Sequence, residues 1–203
     1  MKKKIEQMHY AGSNRTPKCH IINTIEEDVI YIADYTKKNN GKVKVCGSQL
    51  TDIEVVTLDN KAKKIKLHYD AFLPGAFKKN NSQTLQQCEC VIFPCSMNED
   101  DWILFVETKY TTKEYSDPTF PLVKAICQIG ETALLFKKRE VISNTKEVTG
   151  IIAFPELMSP FSDMLWLIDN ATEKRTVYAL SNIFFEISNT ATIHSATELE
   201  ITK

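Results

Sequence analysis

The sequence predicts an α/β protein, a mixed sheet with helices packed on it. Two observations carry that prediction. Short segments of alternating or β-branched residues recur through the first half of the chain, and one long segment near residue 130 carries an apolar stripe at helical spacing. The resulting order is helix, strands, helix, strand, which suits a sheet covered by helices. The 203 residues are enough for a single domain over 1–203, and no linker or internal repeat divides it.

Residues 1–20 are polar and without a clear period, and read as a loosely held N-terminal arm. A first helix is expected from Thr24, whose hydroxyl can cap a segment with Glu27 three residues on. It would run through EEDVIYIADYTKKN to near Gly41, with Ile25, Val29, Ile32 and Ala33 on one stripe. The run VIYI would also suit a strand. KVKVCG, DIEVVTLD and KKIKLHYDAF alternate apolar and polar residues and read as strands. LPGAFKKNNSQ reads as loop. CECVIFP and DWILFVETKY form a hairpin about the polar turn SMNED, and TTKEYSDPTF leaves it as loop. The second helix is expected over 121–138. Pro121 suits its first turn, and Leu122, Ile126, Ile129, Ala133 and Phe136 recur at steps of four and three. GIIAFPEL reads as a buried strand and SDMLWLIDN as a short helix or lid-like loop. VYALSNIFFEIS and ATELEITK read as a closing strand pair.

Composition narrows the function classes. A hydrophobic content of 43% and a charged content of 25% are ordinary for a soluble protein. A net charge of −1 excludes a strongly basic coat but permits local patches, for which KKK (2–4), KAKKIK (61–66) and KKR (137–139) are candidates. No apolar run reaches the roughly 18 residues of a membrane span, and MKKKIEQMHY lacks the apolar core of a secretory signal. Six cysteines are too sparse for a disulfide scaffold, so a reducing, cytoplasmic location is expected. With no Gly-x-Gly among its six glycines, the chain offers no phosphate-binding loop.

The chemistry concentrates in the hairpin. If it folds symmetrically about Asn98, Glu89 pairs with Glu107, each nine residues from the centre. Opposed residues on antiparallel strands share a face at roughly 4.5–5.5 Å between Cβ atoms. Lys109, two residues beyond Glu107, shares it too. Like charges so placed destabilise a sheet unless something compensates, and a divalent cation can do so. Hard cations such as Mg²⁺ are held by one or two carboxylates plus substrate phosphates. Asp100 and Asp101 are alternative acids, but they fall at the turn. Cys88, Cys90 and Cys95 are read as buried small apolar residues rather than as a zinc site, because Cys88-x-Cys90 is spaced too closely. His9, His20, His68 and His194 are scattered, and none has a nucleophile beside it.

An acidic residue on one strand, Glu-x-Lys on the next, and then a helix together resemble the PD-(D/E)XK nuclease superfamily, over roughly Val43 to Leu157 in element order. The carriers are Glu89, Glu107-Thr108-Lys109, and the helix LVKAICQIGETALLF. Some branches carry a glutamine on that helix with a tyrosine four positions on. Gln128 matches the first, and Thr132 stands at the second. The family usually has aspartate where this chain has Glu89. The resemblance implies a restriction-endonuclease-like mixed sheet flanked by helices. It implies a Mg²⁺- or Mn²⁺-dependent nuclease acting on nucleic acid, with DNA as the expected substrate. Glu89 and Glu107 would be metal ligands, Lys109 would position the attacking water, and Gln128 would support from the helix. Glu26 or Glu27 could add a ligand. The alternatives are the same fold as a catalytically inactive module binding nucleic acid or protein, or a structural interaction protein without metal. Converging carboxylates favour the enzyme, and a Lys109 locked onto Glu107 favours the others.

Overall fold

The computed structural model describes residues 1–7, 20–36, 42–77, 85–96, 98–110, 119–156 and 169–202. Within them the chain is α/β, with two mixed sheets and three helices. The strands are β1 (Asn23–Ile25), β2 (Val29–Asp34), β3 (Val43–Cys46), β4 (Val56–Asp59), β5 (Leu67–Ala71), β6 (Cys90–Pro94), β7 (Leu104–Thr108), β8 (Val148–Ala153), β9 (Ile183–Ile187), β10 (Thr190–Ile193) and β11 (Leu199–Thr202). The helices are α1 (Lys2–Glu6), α2 (Thr119–Lys138) and α3 (Asp169–Ala179).

The larger sheet has the order β1-β5-β6-β7-β8-β9. Its first four strands run antiparallel to their neighbours, while β7, β8 and β9 are mutually parallel. Parallel neighbours need a crossover. Helix α2 lies between β7 and β8 in the chain and α3 between β8 and β9. Both helices pack on one face of the sheet, where Leu122, Ile126, Ile129, Ala133 and Phe136 of α2 are fully buried against Val91, Phe105 and Ile152. The expected stripe is therefore the packing face.

The opposite face is covered by the second sheet, β11-β10-β4-β2-β3, in which only β4 and β10 are parallel. Ile30, Ile32, Val56 and Leu58 from this sheet join Ile92, Leu104, Val106 and Ile151 from the larger one in a second core. Every residue of β6 and β7 is buried. A strand covered on both faces loses its polar positions, which is why both segments read as nearly continuous apolar runs.

Several expectations are corrected. The first helix is absent: its span holds β1 and β2, and Thr24 lies on β1 instead of capping a helix. Ile30 and Ile32 are buried while Val29 and Tyr31 are half-exposed, a period of two. The β-branched run VIYI prevails because β3 and β4 flank it and pair along both its edges. The closing strand pair also fails. Val177 and Tyr178 belong to α3, β9 ends the larger sheet, and β11 pairs with β10 in the other. The N-terminal arm is anchored at two points, with Ile5 fully buried in the helix-side core and His20 buried against Asp70. Residues 8–19, most of the TTKEYSDPTF loop and most of SDMLWLIDN lie outside the described residues. No helix among the described residues is long and apolar enough to cross a membrane.

Candidate functional site

The hairpin has the register expected from its symmetry. Cys90 pairs with Val106, Val91 with Phe105 and Ile92 with Leu104, each pair equidistant from Asn98. One residue further out the ladder departs from it. The Glu89 N–H donates to the carbonyl of Val106 at 3.1 Å, although Val106 already faces Cys90. Two residues opposing one is a β-bulge, a device that re-aims a side chain at a strand end. Its result is that Glu89 Oε1 accepts from Thr108 Oγ1 at 2.6 Å. Thr108 alternates with Glu107 along β7, so Glu89 bears on the neighbour of its expected partner rather than lying squarely opposite it. The bulge also separates the two nearby cysteines: Cys88 joins the helix-side core and Cys90 the core between the sheets.

Glu107, Lys109 and Gln128 meet as the sequence suggested. Lys109 Nζ donates to Glu107 Oε1 and, at 2.8 Å, to Gln128 Oε1. The Gln128 amide is fixed from behind, because its Nε2 donates to the carbonyl of Gln87 at 2.9 Å. One turn on, Thr132 Oγ1 donates to the Gln128 carbonyl at 2.7 Å and accepts the Cys88 N–H at 3.0 Å. Helix α2 is thus stitched to the chain entering β6, and Thr132 does this with a hydroxyl alone. The Lys109 N–H reaches the Ala153 carbonyl at 2.7 Å, which holds its backbone to β8.

The acids sit in a costly environment. Glu107 is 2% exposed and Glu89 8%. Burial pushes the Glu107 carboxyl up to about 7 against the pull of the Lys109 ammonium, and Asp34 adds to the rise. Burial also lifts Glu89 well above the carboxylate range, with the charges of Glu107 and then Asp34 adding to it. The Thr108 hydrogen bond and Lys109 offset only part of that rise. Glu89 Oε2 and Glu107 Oε2 are buried with no hydrogen-bond partner. Unpartnered buried carboxylate oxygens on neighbouring side chains are the donor type a hard divalent cation takes. Among the described residues, no group of three or more His, Cys, Asp or Glu is placed to hold a metal ion. Two carboxylates would therefore leave the other coordination positions to water and phosphate.

Asp34 was not visible from sequence as a member of this neighbourhood. It ends β2, and a strand reading of VIYIAD would have placed an acid at that end. Its N–H donates to Tyr110 Oη at 3.2 Å, just past Lys109. Glu26 and Glu27 precede β2, at the opposite end, where their charges act on Lys64. Asp101 closes the hairpin turn, its Oδ2 accepting from Ser96 Oγ at 2.7 Å and the Asn98 N–H at 2.8 Å. The basic runs are also remote. Lys66 lies beside Cys95 at the turn end of β6, Lys4 bonds the Glu140 carbonyl beyond α2, and Lys137 is buried on the carbonyls of Ser143, Asn144 and Lys146. The described histidines are engaged elsewhere: His20 with Asp70, His68 with Thr24 and His194 with Glu200. Comparison of the chain with family models, with curated proteins and with solved structures finds no match.

Proposed function

We propose that the protein is a Mg²⁺- or Mn²⁺-dependent nuclease of the PD-(D/E)XK, restriction-endonuclease-like kind, hydrolysing phosphodiester bonds of nucleic acid, with DNA as the expected substrate. The observation that carries this reading is the pair of buried glutamates, each with an unpartnered oxygen, beside one lysine held by a helix glutamine. The element order supports it: an acid where β6 begins, Glu-x-Lys on β7, then α2 and the parallel strand β8. A bound divalent cation lowers the pKa of its water and screens the phosphate charge. Glu89 and Glu107 would hold it through their unpartnered oxygens. Lys109, aimed by Gln128, orients the attacking water and offers a fixed positive charge to the phosphate as negative charge develops.

One observation favours a second reading, in which the same fold binds nucleic acid or protein without catalysis. Lys109 bonds directly to Glu107, as a purely structural ion pair would. That pair, however, satisfies only one oxygen of Glu107 and none of Glu89, which leaves the two buried oxygens unexplained. Incubating plasmid DNA, single-stranded DNA and RNA with the protein and Mg²⁺ or Mn²⁺ separates the readings. Cleavage that EDTA stops supports the enzyme. Retention of nucleic acid without cleavage, and without binding of either ion, replaces it with the binding module.

A further inference from the structure

We infer that Thr132 on α2 is a positioning residue for the cation site, setting the Glu89 carboxyl through the β-bulge that aims it. The inference rests on the reading of Glu89 and Glu107 as metal ligands and adds to it the residue that fixes one of them. Just before the bulge, the Cys88 N–H turns away from the hairpin ladder and donates to Thr132 Oγ1 at 3.0 Å. The Thr132 hydroxyl spends its own proton on the Gln128 carbonyl at 2.7 Å, which leaves its lone pairs for that N–H. The preceding residue, Gln87, gives its carbonyl to Gln128 Nε2 at 2.9 Å. The Glu89 N–H goes to the Val106 carbonyl at 3.1 Å, and the Glu89 carbonyl accepts the Phe72 N–H at 2.8 Å. Glu89 is thus seated between β7 and the chain leaving β5, while α2 holds the two residues before it.

Burial makes the Thr132–Cys88 bond obligatory. Thr132 is fully buried and Cys88 is 1% exposed, so no water replaces the hydroxyl if it is removed. A buried N–H left without an acceptor is costly, and the backbone shifts to relieve it. The next residue is Glu89, whose carboxyl has little to resist such a shift. One bond, from Thr108 Oγ1 to Oε1, holds it, and Oε2 has no partner. A side chain that orients a metal ligand without touching the metal governs affinity through that orientation.

The test is a Mn²⁺ titration of the full chain by calorimetry, with circular dichroism as a check of folding. Thr132→Val keeps the shape and removes the hydroxyl. It should weaken Mn²⁺ binding about tenfold, the scale of an orienting contact behind a metal ligand, and Thr132→Ser should restore it. Ile129→Ala, on the same helix, separates this from simple loss of stability. It should lower the melting temperature and leave the Mn²⁺ affinity of the folded protein unchanged, and equal weakening by Ile129→Ala overturns the inference. If Thr132→Val binds Mn²⁺ like the wild type while Glu89→Ala does not, the inference falls and the two-glutamate site stands. If the wild type binds no Mn²⁺, both fall together. A measurement on the wild type guards against a misfolded variant. Coupling is reciprocal, so a bond that strengthens cation binding is itself strengthened by the cation. Saturating Mg²⁺ should therefore slow hydrogen exchange of the Cys88 amide about tenfold. An unchanged rate overturns the inference.

Discussion

The Thr108 hydroxyl donates to Glu89 Oε1 at 2.6 Å and ties the two hairpin strands together at their acidic end. Because Glu89 Oε2 has no partner, this is the hydrogen bond that holds the Glu89 carboxyl in place. Thr108→Val keeps the shape and removes the donor, leaving a second buried oxygen unpaired. A loss of about 1–3 kcal/mol is expected in denaturant melts of the metal-free protein. Thr108→Ser should recover most of it. Equal stability of Thr108→Val and wild type would mean the hydroxyl is not holding Glu89.

Glu107 and Lys109 should separate binding from rate. Glu107→Ala removes a proposed ligand and should abolish both cleavage and calorimetric Mn²⁺ binding. Lys109→Ala should keep metal binding and slow cleavage on the order of 10²–10³-fold, the scale of one aimed charge at a transition state. Glu89→Asp shortens the other proposed ligand and should alter rate or metal preference. An unchanged Glu89→Asp enzyme would remove Glu89 from the site.

The acids also set a pH dependence with a definite sign. Glu107 is pushed from 4.5 to about 7 in the folded protein. Its stabilising contribution is therefore fully present below the unfolded value and is lost as pH rises through the folded one. Between about pH 4.5 and 7 the metal-free wild type should lose on the order of 3 kcal/mol relative to Glu107→Gln. Glu89, also raised, acts in the same direction. Cation binding requires ionised carboxylates and releases protons. Mn²⁺ should accordingly raise the melting temperature more at pH 8 than at pH 6, and an equal rise at both would contradict the buried-acid site.

Helix α2 is pinned by its centre. Ile129 is fully buried, and a Cβ added to Gly150 on β8 would meet Ile129 Cγ2 at 2.7 Å. Ile129→Ala should cost about 2–5 kcal/mol by opening a cavity, and Gly150→Ala should destabilise by crowding the same contact. Melts showing no change for Ile129→Ala would mean the helix does not pack as described.

The hairpin register and the α2 stripe were legible because each is a local rule: equal spacing about a turn, and steps of three and four. Glu107 and Lys109 met for the same reason, two residues apart on one strand, whereas Gln128 was named beside them only through the family resemblance. Asp34 escaped because its neighbourhood is set by packing between two sheets, and Ile25, Val29, Ile32 and Ala33 fit a helical stripe as well as they fit strands. The Glu89 bulge escaped too, since one extra residue in a ladder leaves no mark in a pattern of period two. The closing strands were recognised as strands, but no local signal says that β9 and β11 belong to different sheets.

With a core on each face, β6, β7 and β8 have almost no path for water to their amides. They should be the last to exchange hydrogen for deuterium, opening only when the whole molecule unfolds. The acids at the ends of β6 and β7 are thus borne on the least yielding part of the protein. A ligand arriving there meets a geometry already set, and what gives way on its arrival lies outside these strands.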